Sequence, residues 1–207
     1  MINSIIFWVL ALIERLGYLG LAFGMFIENI FPPIPSELIM PFGGFLAAEG
    51  RMNMITLIIA GTIASFLGTL PFYFLGYYGD KLVVDKFLKG WGKYLFITED
   101  EVDKGIAFFK KYGKGATFFG RLVPIVRSVI SFPAGLTKMS IYEFSIFSLL
   151  GTALWTTLLC VAGYILGDNW REVASVIDKY QHLVIIVGIF MVVLFILYTL
   201  NKLRKQG

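Results

Sequence analysis

The sequence predicts an all-α integral membrane protein. Two inverted repeats, each a re-entrant helical hairpin followed by a spanning helix, are joined by an amphipathic cytoplasmic helix and closed by a C-terminal spanning helix. Three observations predict this. Hydrophobic residues make up 57% of the chain and charged residues 15%, with a mean hydropathy of +0.78, whereas a soluble domain carries roughly 25% charge. Residues 26–43, FIENIFPPIPSELIMPFG, recur in altered form 92 positions later as residues 118–135, FFGRLVPIVRSVISFPAG. At that offset Phe26 meets Phe118, Pro32 meets Pro124, Ser36 meets Ser128, Pro41 meets Pro133 and Gly43 meets Gly135. Finally, an apolar run long enough to span follows each copy. Short, Pro/Gly-interrupted apolar segments at matching places in two halves point to a transporter-type binding site.

The 207 residues form a single membrane domain, 1–207. The first repeat covers about 17–80, the amphipathic connector 81–116, the second repeat 117–168 and the final spanning helix 182–203. Residues 2–13 are apolar until Glu14 and Arg15 interrupt. With the run from 17 to 27 they make either one spanning helix or an interfacial helix followed by the first arm of a hairpin. A Glu–Arg pair deep in lipid is costly, which favours an interfacial or tilted first helix. The N-terminus lacks a charged n-region and a small-residue cleavage site, as expected of a retained segment rather than a signal peptide.

The first hairpin breaks at Pro32, Pro33 and Pro35, which remove three backbone donors within four positions. Ser36 then stands where an N-cap belongs, and Pro41, Gly43 and Gly44 break the returning arm. Neither arm reaches the roughly 20 residues a spanning helix needs, so the segment dips in and returns. Irregular backbone at membrane depth survives only when covered by protein or lining a watery cavity. Residues 54–78 span, with Gly61, Ala64, Ser65 and Gly68 as a stripe for close helix packing and a kink expected at Pro71.

The connector carries eight lysines against six acids over residues 79–116. Thr98 and Glu101 form a capping box opening a helix over 101–113, with Phe108, Phe109 and Tyr112 on one side. It reads as a surface-lying amphipathic helix, with a solvated connector as the alternative. The second hairpin follows, broken at Pro124 and Pro133. Residues 141–167 span, opening on GTALW at Gly151 as the earlier helix has GTIAS at Gly61. Lys202, Arg204 and Lys205 follow the last apolar run and place the C-terminus in the cytoplasm by the positive-inside rule. Counting crossings back from there inverts the two hairpins.

The two copies differ in charge: the first holds Glu28 and Glu37, the second Arg121 and Arg127. The arginines are six apart, on different sides of an unbroken helix, but Pro124 between them lets both turn to one point. Guanidinium grips phosphate bidentately, and a helix start capped by Ser128 adds backbone donors for an anion. Arg121, Arg127, Ser128 and Ser36 are therefore candidate phosphate-binding residues. A rival reading has each arginine neutralise one glutamate and lock the halves together. Glu28 and Glu37, nine apart, converge only if the PPIP break allows it. They suit proton coupling or gating, with static salt bridges as the alternative, and Asn29 adds a neutral hydrogen bond or satisfies freed backbone.

Other chemistries find little support. Cys160 is the only cysteine and His182 the only histidine. A disulfide framework, a metal site and a histidine-based phosphatase therefore all lack their residues; no metal or cofactor is implied. Cys160 reads as a packed small residue and His182 as interfacial. No basic stripe interleaves with aromatics, so nucleic acid is not a partner. Membrane and lipid are, and a homodimer is admitted.

The segments ENIFPPIPSE (28–37) and GRLVPIVRSVISFPAG (120–135) resemble the signatures of the DedA family, small membrane proteins that share the SNARE-associated or VTT domain. The resemblance covers about residues 10–200. It implies two inverted re-entrant hairpins and movement of lipids between leaflets, with glutamate and arginine positions at Glu28, Glu37, Arg121 and Arg127. The branch with PPIPSE and RxxPxxRSxxSxPAG includes undecaprenyl-phosphate translocases. Some members place the second acid at a different spacing from Glu37. The expectation is thus a lipid-phosphate translocase, not an enzyme, in a bacterial cytoplasmic membrane. It would return undecaprenyl phosphate to the cytoplasmic leaflet. The alternatives are a phosphatidylethanolamine or general phospholipid translocase, or a proton/cation antiporter.

Overall fold

The computed structural model describes residues 2–30, 36–79, 99–124 and 126–173, and every regular element among them is helical. In chain order these are α1 (Ile2–Leu16), α2 (Tyr18–Ile30), α3 (Ser36–Ala48), α4 (Met54–Tyr78), α5 (Glu99–Gly120), α6 (Val126–Val129), α7 (Ser131–Leu136) and α8 (Ile141–Leu166), closed by a 3-10 turn at Gly167–Asn169. The prolines Pro32, Pro33 and Pro35, the connector before residue 99, His182, the final spanning helix and the C-terminal basic cluster lie outside the described residues.

Helices α4 and α8 frame the molecule. Their 25 and 26 residues extend about 38 Å at 1.5 Å per residue, enough to cross a hydrocarbon layer of roughly 30 Å. Both are apolar outside and polar inside. Ile55, Ile59, Ile63 and Leu67 on α4, and Tyr142, Ile146, Leu150, Leu154 and Leu158 on α8, are exposed at four-residue spacing. The opposite faces bury Thr62, Ser65 and Thr69, and Ser148, Thr152 and Thr156. That is the reverse of a soluble helix and is suited to lipid. Where α4 and α8 cross, the Thr62 and Thr156 hydroxyls meet at 2.9 Å. Asn53 caps α4 by accepting from the Thr56 amide at 3.1 Å.

Residues 2–30 fold as two helices, divided at Gly17, whose φ of +59° is readily available only to glycine. Glu14 and Arg15 lie in the last turn of α1 on its exposed side. Helices α2 and α3 have 13 residues each, about 20 Å at the same rise, too short to cross alone.

The two halves trade contacts. Helix α2 packs on α4 and α5 on α8, each within its own half, whereas α3 packs on α8 and α7 on α4. Glycines permit both exchanges. A Cβ on Gly44 would strike the Cys160 carbonyl oxygen, and one on Gly163 the Pro41 carbonyl. On the other side, a Cβ on Gly135 would strike the Tyr73 carbonyl and one on Gly76 that of Phe132. Cys160 is fully buried at the first of these seams.

Several expectations need correction. Pro41 lies inside α3 and does not end it; Gly163 presses on its backbone, and a packed neighbour is what lets a helix run through proline in a membrane. Pro133 is the third residue of α7, in the first turn, where backbone N–H groups lack helical partners anyway. The connector does not stop at 116, because α5 continues through Gly113 and Gly115 to Gly120. The match of GTIAS to GTALW also fails in three dimensions. Gly151 abuts the Phe118 carbonyl and Arg121 Cβ, and the glycine with the corresponding neighbours, Phe26 and Asn29, is Gly68. Gly61 instead faces Met40.

These seams predict a sharp contrast in stability. Overpacking costs about 1–3 kcal/mol, so Gly44→Val should lower the melting temperature by about 2–12 °C at 2–4 °C per kcal/mol. Gly115→Ala, with open space around the new methyl, should hold or raise it slightly, because glycine within a helix costs about 0.5–1 kcal/mol against alanine. Thermal unfolding of the two variants in detergent checks both.

Candidate functional site

The four charged residues singled out in the sequence come together from four elements. Glu28 sits in the last turn of α2 and Glu37 in the first turn of α3; Arg121 opens the turn after α5 and Arg127 lies on α6. All are buried, with relative exposures of 2%, 8%, 2% and 8% in that order.

The turn at 121–124 does what the proline between the arginines predicts. The Arg121 amide bonds back to the Phe118 carbonyl at 3.2 Å and ends α5, while the Arg127 amide reaches the Val123 and Pro124 carbonyls at 3.0 and 3.2 Å. Both arginines thus come to one region. Arg121 Nη1 donates to the Arg127 carbonyl at 2.8 Å.

The two arginines then differ. Arg127 donates through Nη2 to Glu28 Oε1 and through Nη1 to Ser36 Oγ, and its Nη2 lies 3.5 Å from Glu37 Oε2. Both glutamates thus converge on one guanidinium, which also lies 5.9 Å from the centre of the Trp155 ring. Asn29 Nδ2 braces the other Glu28 oxygen at 3.1 Å and bonds Ser65 Oγ at 2.9 Å and the Met25 carbonyl at 3.0 Å. Arg121 donates to Ser131 Oγ at 2.8 Å and lies 5.9 Å from the Phe144 ring centre. Among the described residues no carboxylate comes within ion-pair distance of it. The arrangement in which each arginine neutralises one glutamate is therefore not the one formed. A buried charge without a directly paired counter-charge is costly; the direct contacts of Arg121 are neutral hydrogen bonds and an aromatic face.

Ser36, fully buried, takes a hydrogen bond from Arg127. Ser128 does not cap the returning arm: it lies within α6, and the residue before α7 is Ile130, with no side-chain cap. Its side chain lies outside the described residues. The serine that engages an arginine is Ser131, also fully buried. It stood in the quoted motif, but its ten-residue separation from Arg121 gave no local cue. Thr152 and Trp155 were also missed; the signal available was a hydroxyl every four residues along an apolar helix, at Ser148, Thr152 and Thr156.

The cluster is closed. The cavity beside it measures about 10 Å³ and is lined by Asn29, Ser65, Arg121, Arg127, Thr152 and Trp155 among others. A far larger cleft of about 770 Å³ runs along the C-terminal half of α5 past Lys110, Lys111, Lys114 and Glu143. It contains none of the four charged residues. The interior site, not the larger cleft, joins buried charge to unpaired donors.

The VTT domain model matches residues 34–165, well over half of the chain. The chain is 39% identical over 199 residues to the "Alkaline phosphatase-like protein" of Lactococcus lactis subsp. lactis, covering 96% of this chain and 92% of that one. It is 33% identical over 193 residues to "Undecaprenyl phosphate transporter A" of Bacillus subtilis, with 93% of each covered. The protein of the same name in Staphylococcus aureus is 30% identical over 193 residues, 93% of this chain and 95% of the other. No solved structure matches.

The shared dependence of the glutamates on Arg127 predicts a coupled loss. Arg127→Met leaves two buried carboxylates facing each other and should cost about 3–5 kcal/mol. Adding Glu28→Gln should return about 1–2 kcal/mol of it, since residues in one ion-pair network are not additive. Melting curves of wild type, both single variants and the double variant test this; strictly additive shifts would contradict the arrangement.

Proposed function

The chain belongs to the VTT-domain family, the DedA proteins, and from that premise we propose that it is a lipid-phosphate translocase of the bacterial cytoplasmic membrane. Its substrate is undecaprenyl phosphate, returned from the outer to the cytoplasmic leaflet for re-use as the cell-wall carrier lipid. The observation that carries this reading is Arg121: a buried guanidinium hydrogen-bonded to neutral partners, with no carboxylate within ion-pair distance among the described residues. A phosphate head supplies what such a cation lacks. The relatives named as undecaprenyl phosphate transporters, aligned over nearly the whole chain, support the choice of lipid.

In this reading α2 with α3, and the end of α5 with α6 and α7, are re-entrant hairpins of opposite orientation. The reciprocal packing of α3 on α8 and α7 on α4 supports that relation. The closed cluster is the unloaded state, with Arg127 occupied by Glu28, Glu37 and Ser36. A phosphate oxygen meets Arg121 first. Arg127 then exchanges its carboxylates for phosphate, and the released glutamates take up protons or swing away, which is how they gate the site. The polyprenyl tail stays in lipid along the groove between the hairpins, and the C-terminus is cytoplasmic. Binding energy goes into positioning and no covalent bond changes.

The test uses the full chain in proteoliposomes with polyprenyl phosphate placed in one leaflet. Wild type should move the lipid. Arg121→Gln should slow it about 100-fold, within the 2–5 kcal/mol that losing one partner of a buried charged contact costs. Arg127→Lys, which keeps the charge and loses the fork, should also slow it. Transport by Arg121→Gln at the wild-type rate would refute the reading. Equal movement of phosphatidylethanolamine would make it a general phospholipid translocase, and cation flux without lipid movement an antiporter. Release of inorganic phosphate would instead point to the hydrolase implied by the name of the Lactococcus relative.

A further inference from the structure

We propose that Trp155 and Thr152 of α8 form the inner wall of the phosphate site and donate hydrogen bonds to a phosphate oxygen alongside Arg121 and Arg127. The inference rests on the lipid-phosphate reading and extends it to a helix to which that reading gives no binding role.

Three buried polar atoms around the small cavity have no hydrogen-bond partner among the described residues: Arg121 Nε, Thr152 Oγ1 and Trp155 Nε1. Buried donors almost always find partners, so three orphans lining one cavity mark a place built for something else. Their chemistry says what. Guanidinium and indole nitrogens only donate, and a threonine hydroxyl donates as readily as it accepts. Ser65 Oγ, on the same wall, already accepts from Asn29. The wall therefore presents more donors than acceptors and is complementary to an anionic oxygen. The cavity, about 10 Å³, is about the size that holds a single oxygen atom with its neighbours in contact.

Place on the helix gives the same answer. Thr152 and Trp155 are three residues apart on α8, on one face, and both are at least nine-tenths buried, at 5% and 9% exposure. The Trp155 ring lies under the Arg127 guanidinium, so the side chain that would steady the mobile arginine also offers its own N–H. A phosphate whose oxygens engage the two arginines brings one of them to the cavity, where the indole and the hydroxyl complete its shell. A polyprenol, which brings a hydroxyl in place of an anion, gains much less from the same donors because hydrogen bonds to charged groups are about twice as strong.

The experiment follows the indole N–H signals of the full chain, labelled with ¹⁵N tryptophan, in lipid nanodiscs. Four tryptophans are present, and Trp155→Phe, which keeps a ring and removes only the N–H, identifies the signal. Titration with a short-chain polyprenyl phosphate should move the Trp155 signal downfield, and the matching polyprenol should leave it in place. Trp155→Phe should raise the half-saturating concentration of the phosphate lipid about tenfold, and Thr152→Val about fivefold, as expected for single bonds to a charged acceptor. Inorganic phosphate should act only at far higher concentration; equal potency would overturn the lipid assignment. If the phosphate lipid binds the wild type while the Trp155 signal stays still, the cavity holds only water and the inference fails with the translocase reading intact. If the phosphate lipid does not bind the wild type at all, the translocase reading falls and this inference with it.

Discussion

One guanidinium ties the two halves of this chain together. Arg127, from the second copy of the duplicated stretch, is held by Glu28, Ser36 and Glu37 from the first. Inside a low-dielectric core such a contact is strong but replaceable, because desolvation offsets much of what the charges gain from each other. An apolar plug of the same volume would hold the halves at least as well. Keeping charge there fits the proposed release of Arg127 to a phosphate, and the neutral contacts of Arg121 fit the same proposal.

The scaffold around the charges is built for close approach. Each short arm lies on the long helix of the other half, backbone against backbone, with Gly44 and Gly163 at one seam and Gly76 and Gly135 at the other. Without a hydrophobic force between helices in lipid, small residues and hydroxyls supply the cohesion. The Thr62–Thr156 contact at the crossing of α4 and α8 belongs to that scheme. So does the Tyr73 hydroxyl, which donates to the Met139 carbonyl at 2.5 Å and pins the end of the second hairpin to α4.

Much of this was legible in the residues. The meeting of Arg121 and Arg127 followed from a proline placed between them, a local property. The small-residue stripe Gly61, Ala64, Ser65 and Gly68 is buried as its spacing implied. What depended on distant neighbours was not legible. That both glutamates would fall to Arg127 depends on how α2 and α3 are set against α6, which no spacing records. Pro41 reads as a breaker because Gly163, which packs against it, is 122 positions away. The false match of Gly61 to Gly151 arose because a stripe of small residues repeats every turn, so one identical word can align a turn or two out of place. Ser128 attracted attention by its match to Ser36, while Ser131, one turn on, made the contact.

The balance of the cluster has an electrical consequence. Two guanidiniums and two carboxylates give the empty site no net charge when all are ionised, so the membrane voltage exerts no net force on it. Any anion it carries changes that: moving one charge through 100 mV involves about 2.3 kcal/mol. An inside-negative cell resists inward passage of a bare phosphate. On the proposed lipid-phosphate reading, a proton taken up by each glutamate as it leaves Arg127 would cancel that resistance, so the same two acids would also offset the voltage.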